Sequence, residues 1–541
     1  MTYDTIIVGA GAAGAILAAR LSEDSSRNVL LLEPGPDYPD FKTLPDDLKF
    51  GLSGASTGAE NPHDWDYRAI GTDSSEPIPV PRGRAMGGST ATNAQIFLRG
   101  APEDYDSWAA TGLDQWSYKK LLPAFRRSEN DLDYSGDFHG KSGPISCVRA
   151  KPDELLPMQS AFYDACRATG ISDCPDHNLP DSTGVGPLPF NNIDGVRIST
   201  ALGYLSDVRH RLNLTIRAGA LVHRVIIENN RAVGVMVESA EEIFKIRSNE
   251  VIVSAGAVVS PQLLMLSGIG PAEHLKEHGI DVVVDLPGVG QNLQDHPMTP
   301  MIWNTKPDYE FRSDIMRMQI GLRYTADGSD NRNDMIVYVS SFGTERPDRG
   351  GGRHIPIGVQ LNVTLNMAYS RGNIRLASAN IDDQPIIDFN YFDEPRDLTR
   401  MREGVRKMSS LVERPEFRDI VSNPAYPTND IVGDDEALDD WIRRDVTTGH
   451  HISGSNKMGV DSDPMAVVSQ LGKVRGVEGL RVIDASIMPT CVRANINATV
   501  IAMAERMAEL ITQESEPNTT KTAAHLLTSW QQTVPIRTVQ S

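Results

Sequence analysis

The residues best suited to chemistry lie near the C-terminus, where a polar turn precedes a strand-to-helix junction. The turn, Gly449 to Ser455, contains adjacent histidines, and the junction, Ala494 to Thr499, contains two asparagines. An imidazole accepts a hydroxyl proton near neutral pH, and an asparagine amide can donate a hydrogen bond to the same oxygen. The pattern predicts His451 as a general base and Asn495 as its partner. A structural histidine and a helix N-cap are the alternatives for these two positions.

Metal binding is not expected at the two histidines. Adjacent side chains project in different directions, and no cysteine or acid near them has ligand spacing. A second polar loop, Leu286 to Pro297, offers Asn292, Asp295 and His296 to hold either a loop or a ligand. We interpret His296 as a structural hydrogen-bonding residue rather than a catalyst.

These groups need a scaffold, and the N-terminus supplies its first unit. An apolar run, Thr5 to Val8, leads through the turn GAGAAG (9–14) into an Ala/Leu-rich helix and a second apolar strand. The three glycines permit a tight turn, close approach of backbone amides to a pyrophosphate, and close helix packing. Glu33 follows Gly14 by 33 − 14 = 19 residues, where an acid can accept hydrogen bonds from a ribose. The unit predicts a dinucleotide site and leaves NAD and FAD open, whereas Glu33 would repel the 2′-phosphate of NADP.

A second glycine-rich loop lies between Pro81 and Gly100. Adjacent glycines at 87 and 88 weaken both helix and strand. We expect the loop to bring backbone amides and small hydroxyls against a large flat ligand, with a simple loop as the alternative. A helix is expected to begin near Thr92. The irregular segment from Pro34 to about Pro81 is long for a structureless loop, which indicates a lid or a segment that wraps a cofactor.

Hydrophobic periodicity predicts the remaining elements. The expected strands are 214–216, 221–228, 232–238, 242–246, 251–256, 358–366 and 372–376. The expected helices are 156–169, 397–412, 435–445, two short helices within 102–125, one that starts at Ser260-Pro261 with proline in its first turn, and one that ends at Ile511. The pattern from Met298 to about Trp441 indicates a separate antiparallel α+β layer.

The composition argues against several classes of partner. The 541 residues carry a formal net charge of −20 at pH 7, so nucleic acid and anionic membranes would repel the chain. No apolar run approaches the ~20 residues of a membrane helix, and the first strand begins too close to Met1 for a cleavable leader. The four cysteines show neither a disulfide framework nor metal-ligand spacing. We expect a cytoplasmic enzyme with reduced thiols, no nucleic-acid partner and no membrane span; its oligomeric state stays open.

Taken in order, these motifs resemble those of the glucose-methanol-choline (GMC) flavin oxidoreductases. The resemblance rests on GAGAAG with Glu33, GRAMGGSTATN, SAGAVVSPQLLMLSGIG, PGVGQNLQDH and GLRVIDASIMPT followed by NINAT, and it spans Tyr3 to about Ile511. It implies an α/β fold, in which a Rossmann-like FAD-binding domain is interleaved with an α+β substrate domain built on an antiparallel sheet. The implied division is 1–155, 195–297 and 449–513 for the FAD-binding domain, 156–194 and 298–448 for the substrate-binding domain, and 514–541 for a C-terminal tail.

The resemblance also implies FAD as the cofactor and no metal. The implied contacts with FAD are Gly9, Gly11, Ala12, Ala13, Gly14, Glu33, Met86, Gly87, Gly88, Asn93, Ala94, Val222, Asp484, Ala485, Asn495 and Ile496. Thr92 stands where some members carry the histidine that bonds to flavin, so we expect non-covalent FAD. The chain departs from many members at Gly454-Ser455-Asn456, where they read Gly-Thr-Cys.

The implied reaction is oxidation of a primary alcohol to the aldehyde, with a His451/Asn495 catalytic pair and hydride transfer to flavin N5. Aromatic or furanic alcohols are favoured because the C-terminal motif is similar to bacterial hydroxymethylfurfural and aryl-alcohol oxidases. The segments Asn61 to Tyr67 and Ser128 to Pro144 resemble bacterial sorbose and polyol dehydrogenases. A sugar or polyol dehydrogenase with a non-oxygen electron acceptor is therefore the alternative, and a hydroxynitrile lyase of this fold is a lesser one. Oxygen and an external electron acceptor both stay open.

Overall fold

The computed structural model describes residues 2–51, 61–312, 315–344 and 356–515. Two seven-stranded sheets form its framework, and their apolar faces and the helices around them make one extensive core. Of the tail expected at 514–541, residues 516–541 lie outside the described part. None of the helices in the described part has the length and apolar character needed to span a membrane.

The first sheet contains the predicted βαβ unit. Its strand order is Leu214–Arg217, Val29–Leu32, Thr2–Val8, Glu242–Val253, Arg231–Ser239 and Leu221–Glu228, with Leu480–Val482 paired to Glu242–Val253. Strands 214–217, 29–32, 2–8, 242–253 and 480–482 pair in parallel. The helix Gly14–Leu21 packs against the last helix, Ile496–Ser515. A sheet of this kind binds ligands outside the carboxyl ends of its parallel strands.

The second sheet is antiparallel and faces those carboxyl ends. Its strand order is Val421–Tyr426, Pro297–Thr305, Pro356–Leu365, Met335–Thr344, Ile320–Tyr324 and Gly184–Pro187, with Thr447–Thr448 paired to Pro297–Thr305. Tyr338 pairs with Asn362 and Ser340 pairs with Gln360, so these four side chains share one face. The two sheets confirm the predicted fold class.

Shorter elements connect the two sheets. The remaining helices are Asp46–Lys49, Pro102–Ala110, Tyr118–Ser128, Pro157–Ala168, Gly256–Leu266, Ala272–Glu277, Pro395–Val412, Asn429–Gly433 and Asp435–Asp445. Single turns of 3₁₀ helix occur at Phe41–Thr43, Gly88–Thr90, Asp114–Trp116, Pro152–Glu154, Pro415–Phe417 and Ala485–Ile487, and a π-helical turn occurs at Ala201–Leu205. Two-stranded pairs are Tyr67–Ala69 with Ile78–Val80, Glu129–Asp131 with Ile145–Cys147, Asn192–Ile193 with Val196–Arg197, Ile269–Gly270 with Val284–Asp285, and Asn373–Arg375 with Ile386–Asp388.

The helix predicted to start at Ser260 was misplaced, because it begins at Gly256. Its cap is not local in sequence. Asp484 Oδ2 accepts hydrogen bonds from Gly256 N at 2.9 Å and from Ser260 Oγ at 2.5 Å. A carboxylate at a helix N-terminus satisfies free N–H groups and interacts favourably with the helix dipole. Since this carboxylate comes from a strand end 228 residues away, no local pattern marked the true start.

Pro261 consequently lies inside the helix and not in its first turn. Proline has no N–H to donate to the carbonyl four residues earlier, which is that of Ala257. The hydroxyl of Ser455 donates to this carbonyl instead, at 2.6 Å. Ser455 is fully buried. The turn that carries the adjacent histidines therefore supplies the hydrogen-bond donor that Pro261 lacks.

We expect Ser455→Ala to lower the free energy of unfolding by about 1–3 kcal/mol, because the buried Ala257 carbonyl loses its donor. Urea denaturation of the FAD-loaded protein measures the change. In a Pro261→Ala background the restored N–H can donate to Ala257, so the cost of Ser455→Ala should largely disappear. An equal cost in both backgrounds would contradict this account.

The helix expected near Thr92 is absent from the described residues at that place. A single 3₁₀ turn, Gly88–Thr90, is followed by irregular backbone. Asn93 Oδ1 accepts a hydrogen bond from Gln95 N at 2.8 Å, and Gln95 has a φ of 67°. The left-handed conformation of Gln95, which the side chain of Asn93 stabilises, is incompatible with a helix at this point.

Two further boundaries differ from those predicted. The segments 242–246 and 251–256 belong largely to one continuous strand, Glu242–Val253, whose first half pairs with Arg231–Ser239 and whose last residues pair with Leu480–Val482. The last helix runs beyond Ile511 to Ser515. Glu514 holds this extra turn through Lys473 at 2.6 Å and Arg481 at 2.7 Å.

Candidate active site

A cavity of about 560 Å³ lies between the two sheets. The carboxyl ends of parallel strands reach it at Val8, Leu32 and Ser254, and the second sheet reaches it at Tyr338 and Asn362. Trp65, Tyr67 and residues 76–79 also line it, so part of the long segment after Pro34 borders the cavity. This is the place at which an open parallel sheet binds its ligand.

The glycine turn is built for close approach at one end of the cavity. Gly9 has a φ of 93°, and a Cβ atom on Gly14 would lie 1.9 Å from the carbonyl oxygen of Gly9. A Cβ atom on Gly88 would lie 2.7 Å from Gly11 Cα. The two glycine motifs of the sequence therefore touch through their backbones, and side chains at these positions would separate them.

Glu33 lies at the end of the second strand and is buried. Its two carboxylate oxygens accept hydrogen bonds from Ala10 N at 3.0 Å and Gly35 N at 3.1 Å. Burial raises the pKa of Glu33 to about 7. Each oxygen has a second lone pair, so Glu33 can hold the turn and still accept a ribose hydroxyl from the cavity.

Most of the residues predicted to contact the cofactor line this cavity: Gly9, Gly11, Ala12, Ala13, Glu33, Gly88, Asn93, Ala94, Val222, Asp484, Ala485, Asn495 and Ile496. Gly14, Met86 and Gly87 lie behind the lining. Met86 N donates to Pro36 O at 2.9 Å, and Gly87 N donates to Ala10 O at 2.8 Å. These three positions support the two glycine motifs from behind.

Asp484 lines the cavity, but its oxygens are already engaged. Besides Gly256 and Ser260, it accepts a hydrogen bond from Ser486 N at 2.8 Å. Burial raises the pKa of Asp484. The observed contacts make it a helix cap at the cavity wall, and its predicted contact with the cofactor stays a prediction.

Side-chain amide groups without a hydrogen-bond partner show whether the cavity lining suits a flavin dinucleotide. Gln95 Nε2 and Asn497 Nδ2 are buried, belong to residues that line the cavity, and have no hydrogen-bond partner in the described part of the chain. Buried amide donors require acceptors, and the carbonyl and ring nitrogen atoms of a flavin supply them. The donor set therefore fits. Neither residue was predicted as a cofactor contact, although each stands directly next to one, Gln95 after Ala94 and Asn497 after Ile496.

The two residues predicted to do the chemistry meet in the same cavity. Asn495 Nδ2 lies 2.9 Å from His451 Nε2, and both residues line the cavity. His451 is largely buried. Burial holds the pKa of His451 well below its ordinary value, and neighbouring His296, His450 and Arg82 lower it further. A neutral imidazole at neutral pH is the protonation state that a general base requires.

The turn before His451 is clamped by Asp295. Asp295 Oδ1 accepts a hydrogen bond from His451 N at 2.6 Å, and Oδ2 accepts from Thr448 Oγ1 and from the Tyr391 hydroxyl, both at 2.5 Å. His450 has a φ of 67°, which a bulky residue rarely adopts. The loop 286–297 thus holds a loop, one of the two uses expected of its polar groups.

Two contacts of the pair were not anticipated. His296 Nδ1 lies 2.9 Å from His451 Nδ1, and the Tyr338 hydroxyl lies 2.9 Å from Asn495 Oδ1. His296 was interpreted as a structural hydrogen-bonding residue, but the sequence did not connect it to His451. Tyr338 sits within an apolar strand, Met335–Thr344, where no local pattern distinguishes it from a core aromatic residue.

The second sheet faces the catalytic pair with neutral side chains. Its members in the lining are Met298, Tyr338, Gln360, Asn362 and Thr447. Gln360 Nε2 donates to Asn362 Oδ1 at 2.5 Å. The neighbouring residues 316–318 add two methionines and the cation of Arg317. This side of the cavity offers apolar surface, amide groups and positive charge.

One cluster in the described residues has metal-ligand types at metal-ligand distances. Ligand atoms of Glu129, Asp131 and Cys147 lie within 4.8 Å of one another. Arg99 pairs with Glu129 at 2.8 Å, and Arg149 pairs with Asp131 at 2.9 Å. These guanidinium groups already compensate the charge of the buried carboxylates.

The chain is similar to known proteins of one family. Models of the GMC oxidoreductase family match residues 3–298 and 368–504. The oxygen-dependent choline dehydrogenase of Photobacterium profundum is 36% identical over 540 residues, which cover 94% of this chain and 93% of that protein.

Solved structures show the same architecture. Pyridoxine 4-oxidase from Mesorbium loti superposes with a TM-score of 0.87 at 30% identity, covering 95% of this chain and 99% of that one. A fungal aryl-alcohol oxidase superposes with a TM-score of 0.82 at 24% identity, covering 95% and 99%. The second of these likenesses is one of fold alone.

Proposed function

We propose that this member of the GMC oxidoreductase family, a family of FAD-dependent enzymes that act on alcohols, oxidises a neutral primary alcohol to the aldehyde. The observation that supports this most is the His451–Asn495 contact at 2.9 Å in the wall of the cavity. Both groups present nitrogen atoms to the same point, where a hydroxyl group can bind.

In the proposed reaction His451 Nε2 accepts the hydroxyl proton, and Asn495 Nδ2 donates a hydrogen bond to the same oxygen. An oxygen about 2.8 Å from both nitrogen atoms satisfies ordinary hydrogen-bond geometry. As the proton moves, negative charge develops on this oxygen, and protonated His451 and Asn495 stabilise it together.

Non-covalent FAD is proposed for the rest of the cavity. Glu33 and the turn 9–14 would hold the adenosine and pyrophosphate, and Gln95 and Asn497 would donate to the flavin ring. FAD supplies the acceptor for the hydride that leaves the alcohol carbon. Thr92, which lines the cavity, offers no imidazole for a covalent bond.

A neutral substrate is proposed because of the charges around the catalytic pair. A quaternary ammonium group binds best to carboxylates and to several aromatic faces. Among its described residues, the second sheet offers one aromatic side chain, Tyr338, and no ionised acid in the lining, and Arg317 adds a positive charge. Met298, Met316 and Met318 instead suit an apolar body, as in an aromatic or furanic alcohol.

A sugar or polyol dehydrogenase is the second candidate. Gln360 and Asn362 line the cavity, and their amide groups can donate to and accept from additional hydroxyl groups. A polyol substrate would use these amides, whereas an aromatic alcohol would use the methionines. The electron acceptor, oxygen or an external molecule, is independent of this choice.

Anaerobic mixing of the holoenzyme with benzyl alcohol, 5-hydroxymethylfurfural, sorbitol and choline tests the proposal. We expect the flavin absorbance to bleach fastest with the two aromatic alcohols and slowest with choline. Readmitted air then distinguishes the acceptors, because rapid recovery of colour means that oxygen serves. Faster bleaching by sorbitol would favour the second candidate, and bleaching by none of the alcohols would reject alcohol oxidation.

A further inference from the structure

The polar groups around His451 form a chain of hydrogen bonds whose directions can be assigned. Tyr338 is buried, and its hydroxyl bonds to Asn495 Oδ1 at 2.9 Å. A carboxamide oxygen accepts and does not donate, so Tyr338 donates to it. The opposite side of the amide, Asn495 Nδ2, then faces His451 Nε2 at 2.9 Å and donates to that nitrogen.

His451 must therefore carry its proton on the other nitrogen. A neutral imidazole has one N–H, and burial keeps the pKa of His451 low enough for the neutral form. Since Nε2 accepts from Asn495, the proton is on Nδ1. That atom lies 2.9 Å from His296 Nδ1, so His451 donates and His296 accepts.

His296 in turn carries its proton on Nε2, which lies 3.2 Å from Cys491 Sγ. Burial lowers the pKa of His296 to about 3 and raises the pKa of Cys491 to about 12. The ring is thus neutral and the sulfur is a thiol. The chain runs in one direction from Tyr338 to Cys491, whose thiol also lies 3.6 Å from the His451 carbonyl.

We propose that His296 and Tyr338 are positioning residues for the catalytic pair: His296 keeps the proton of His451 on Nδ1, and Tyr338 keeps the Asn495 amide nitrogen turned toward His451. The substrate hydroxyl then meets an unprotonated Nε2, where it takes the place of the Asn495 N–H. The inference rests on the proposed role of His451 as the base. His296 is fully buried and is not part of the cavity lining, so it acts through His451 and does not touch the substrate.

The arrangement also serves the protonated state. When His451 has taken the hydroxyl proton, both of its nitrogen atoms are donors. His296 Nδ1 still accepts from His451 Nδ1–H, so the ring keeps this contact and its orientation in the charged state. The opposite tautomer of His451, with the proton on Nε2, would present a donor to the alcohol and could not act as the base.

Nuclear magnetic resonance of the holoenzyme with ¹⁵N-labelled histidine tests the tautomer directly. The chain has 12 histidines, and the spectra of His451→Asn and His296→Asn identify the two rings by their missing signals. We expect protonated Nδ1 and bare Nε2 on His451, with the reverse on His296. A protonated Nε2 on His451 would overturn the inference. Since this measurement uses no substrate, it is separate from any failure of the proposed function.

A matched pair of variants tests the positioning role of His296. His296→Leu keeps a side chain of roughly similar bulk but removes the acceptor, and flavin reduction by the best alcohol should slow about 100-fold. His296→Asn places a carboxamide oxygen near the position of Nδ1 and should restore the rate to within about tenfold of wild type. Equal rates in the two variants, with FAD bound in both, would mean that His296 only fills space.

A double-mutant cycle tests Tyr338 even where a His296 variant fails to fold. Tyr338→Phe removes the hydroxyl that fixes the Asn495 amide, and we expect a fall of about tenfold in the rate of flavin reduction. If Tyr338 acts through Asn495, the same change should cost less than about twofold in an Asn495→Ala background. If the rate losses of Tyr338→Phe and Asn495→Ala simply multiplied, Tyr338 would not act through Asn495.

Discussion

His451→Ala is expected to slow flavin reduction by an alcohol about 10²–10⁴-fold, the range that general base catalysis contributes. His451 Nε2 meets Asn495 at 2.9 Å in the cavity wall, and its low pKa keeps it unprotonated at neutral pH. Without the imidazole, no group accepts the hydroxyl proton while the hydride leaves the alcohol carbon. Anaerobic stopped-flow measurement of flavin absorbance gives the rate, and the visible spectrum of the purified variant shows that FAD remains bound.

The neighbouring histidine provides the control. His450 also lines the cavity, but it is not the ring that bonds to Asn495. Its left-handed backbone tolerates asparagine, so His450→Asn should fold and retain a rate within about tenfold of wild type. Asn495→Ala should lose less than His451→Ala, since it removes a donor and leaves the base. Near-normal flavin reduction in His451→Ala would reject His451 as the base.

The elements that the sequence predicted well are those whose causes are local. The helix Asp435–Asp445 and the strand Leu221–Glu228 have the predicted limits. The first has a helical apolar stripe with Asp434 as its N-cap, and the second has turn residues at its end. Local periodicity and local caps suffice for elements of this kind.

The elements that were misplaced depend on partners far along the chain. Helix Gly256–Leu266 starts where it does because Asp484 caps it, and it tolerates Pro261 because Ser455 supplies a donor. A sequence pattern contains neither contact, since both join segments about 200 residues apart. The helix expected at Thr92 is missing for a more local reason, the left-handed conformation of Gln95. No glycine or proline in the sequence marks that conformation.

The same distinction applies to the site. The turn 9–14 and Glu33 could be located because the motif is continuous and each glycine has a separate steric task. His451 and Asn495 could be named as candidates, but their contact spans 44 residues and needed the structure. His296 and Tyr338 reach the pair across 155 and 157 residues, and only the meeting of the two sheets reveals them.

Gly88→Ala is expected to weaken FAD binding about 10- to 100-fold. Gly88 has a φ of 51°, and a Cβ atom there would lie 2.7 Å from Gly11 Cα. Neither backbone can retreat easily, because the preceding Gly87 N donates to Ala10 O at 2.8 Å. Overpacking of this kind costs about 1–3 kcal/mol, and each 1.4 kcal/mol is tenfold in affinity. Titration of the apoprotein with FAD, followed by flavin fluorescence, measures the loss.

Gly279→Ala separates the clash from the backbone strain. Gly279 is exposed, has a φ of 69°, and has nothing within 4 Å of an added Cβ atom. Its replacement should cost about 1 kcal/mol of stability and leave FAD affinity unchanged. If Gly88→Ala bound FAD as tightly as Gly279→Ala, the contact between the two glycine motifs would not shape the cofactor site. A selective loss in Gly88→Ala would mean that the turn 9–14 and the loop before Gly100 bind FAD together. The adenosine end and the flavin end of FAD would then share a single cavity beside His451.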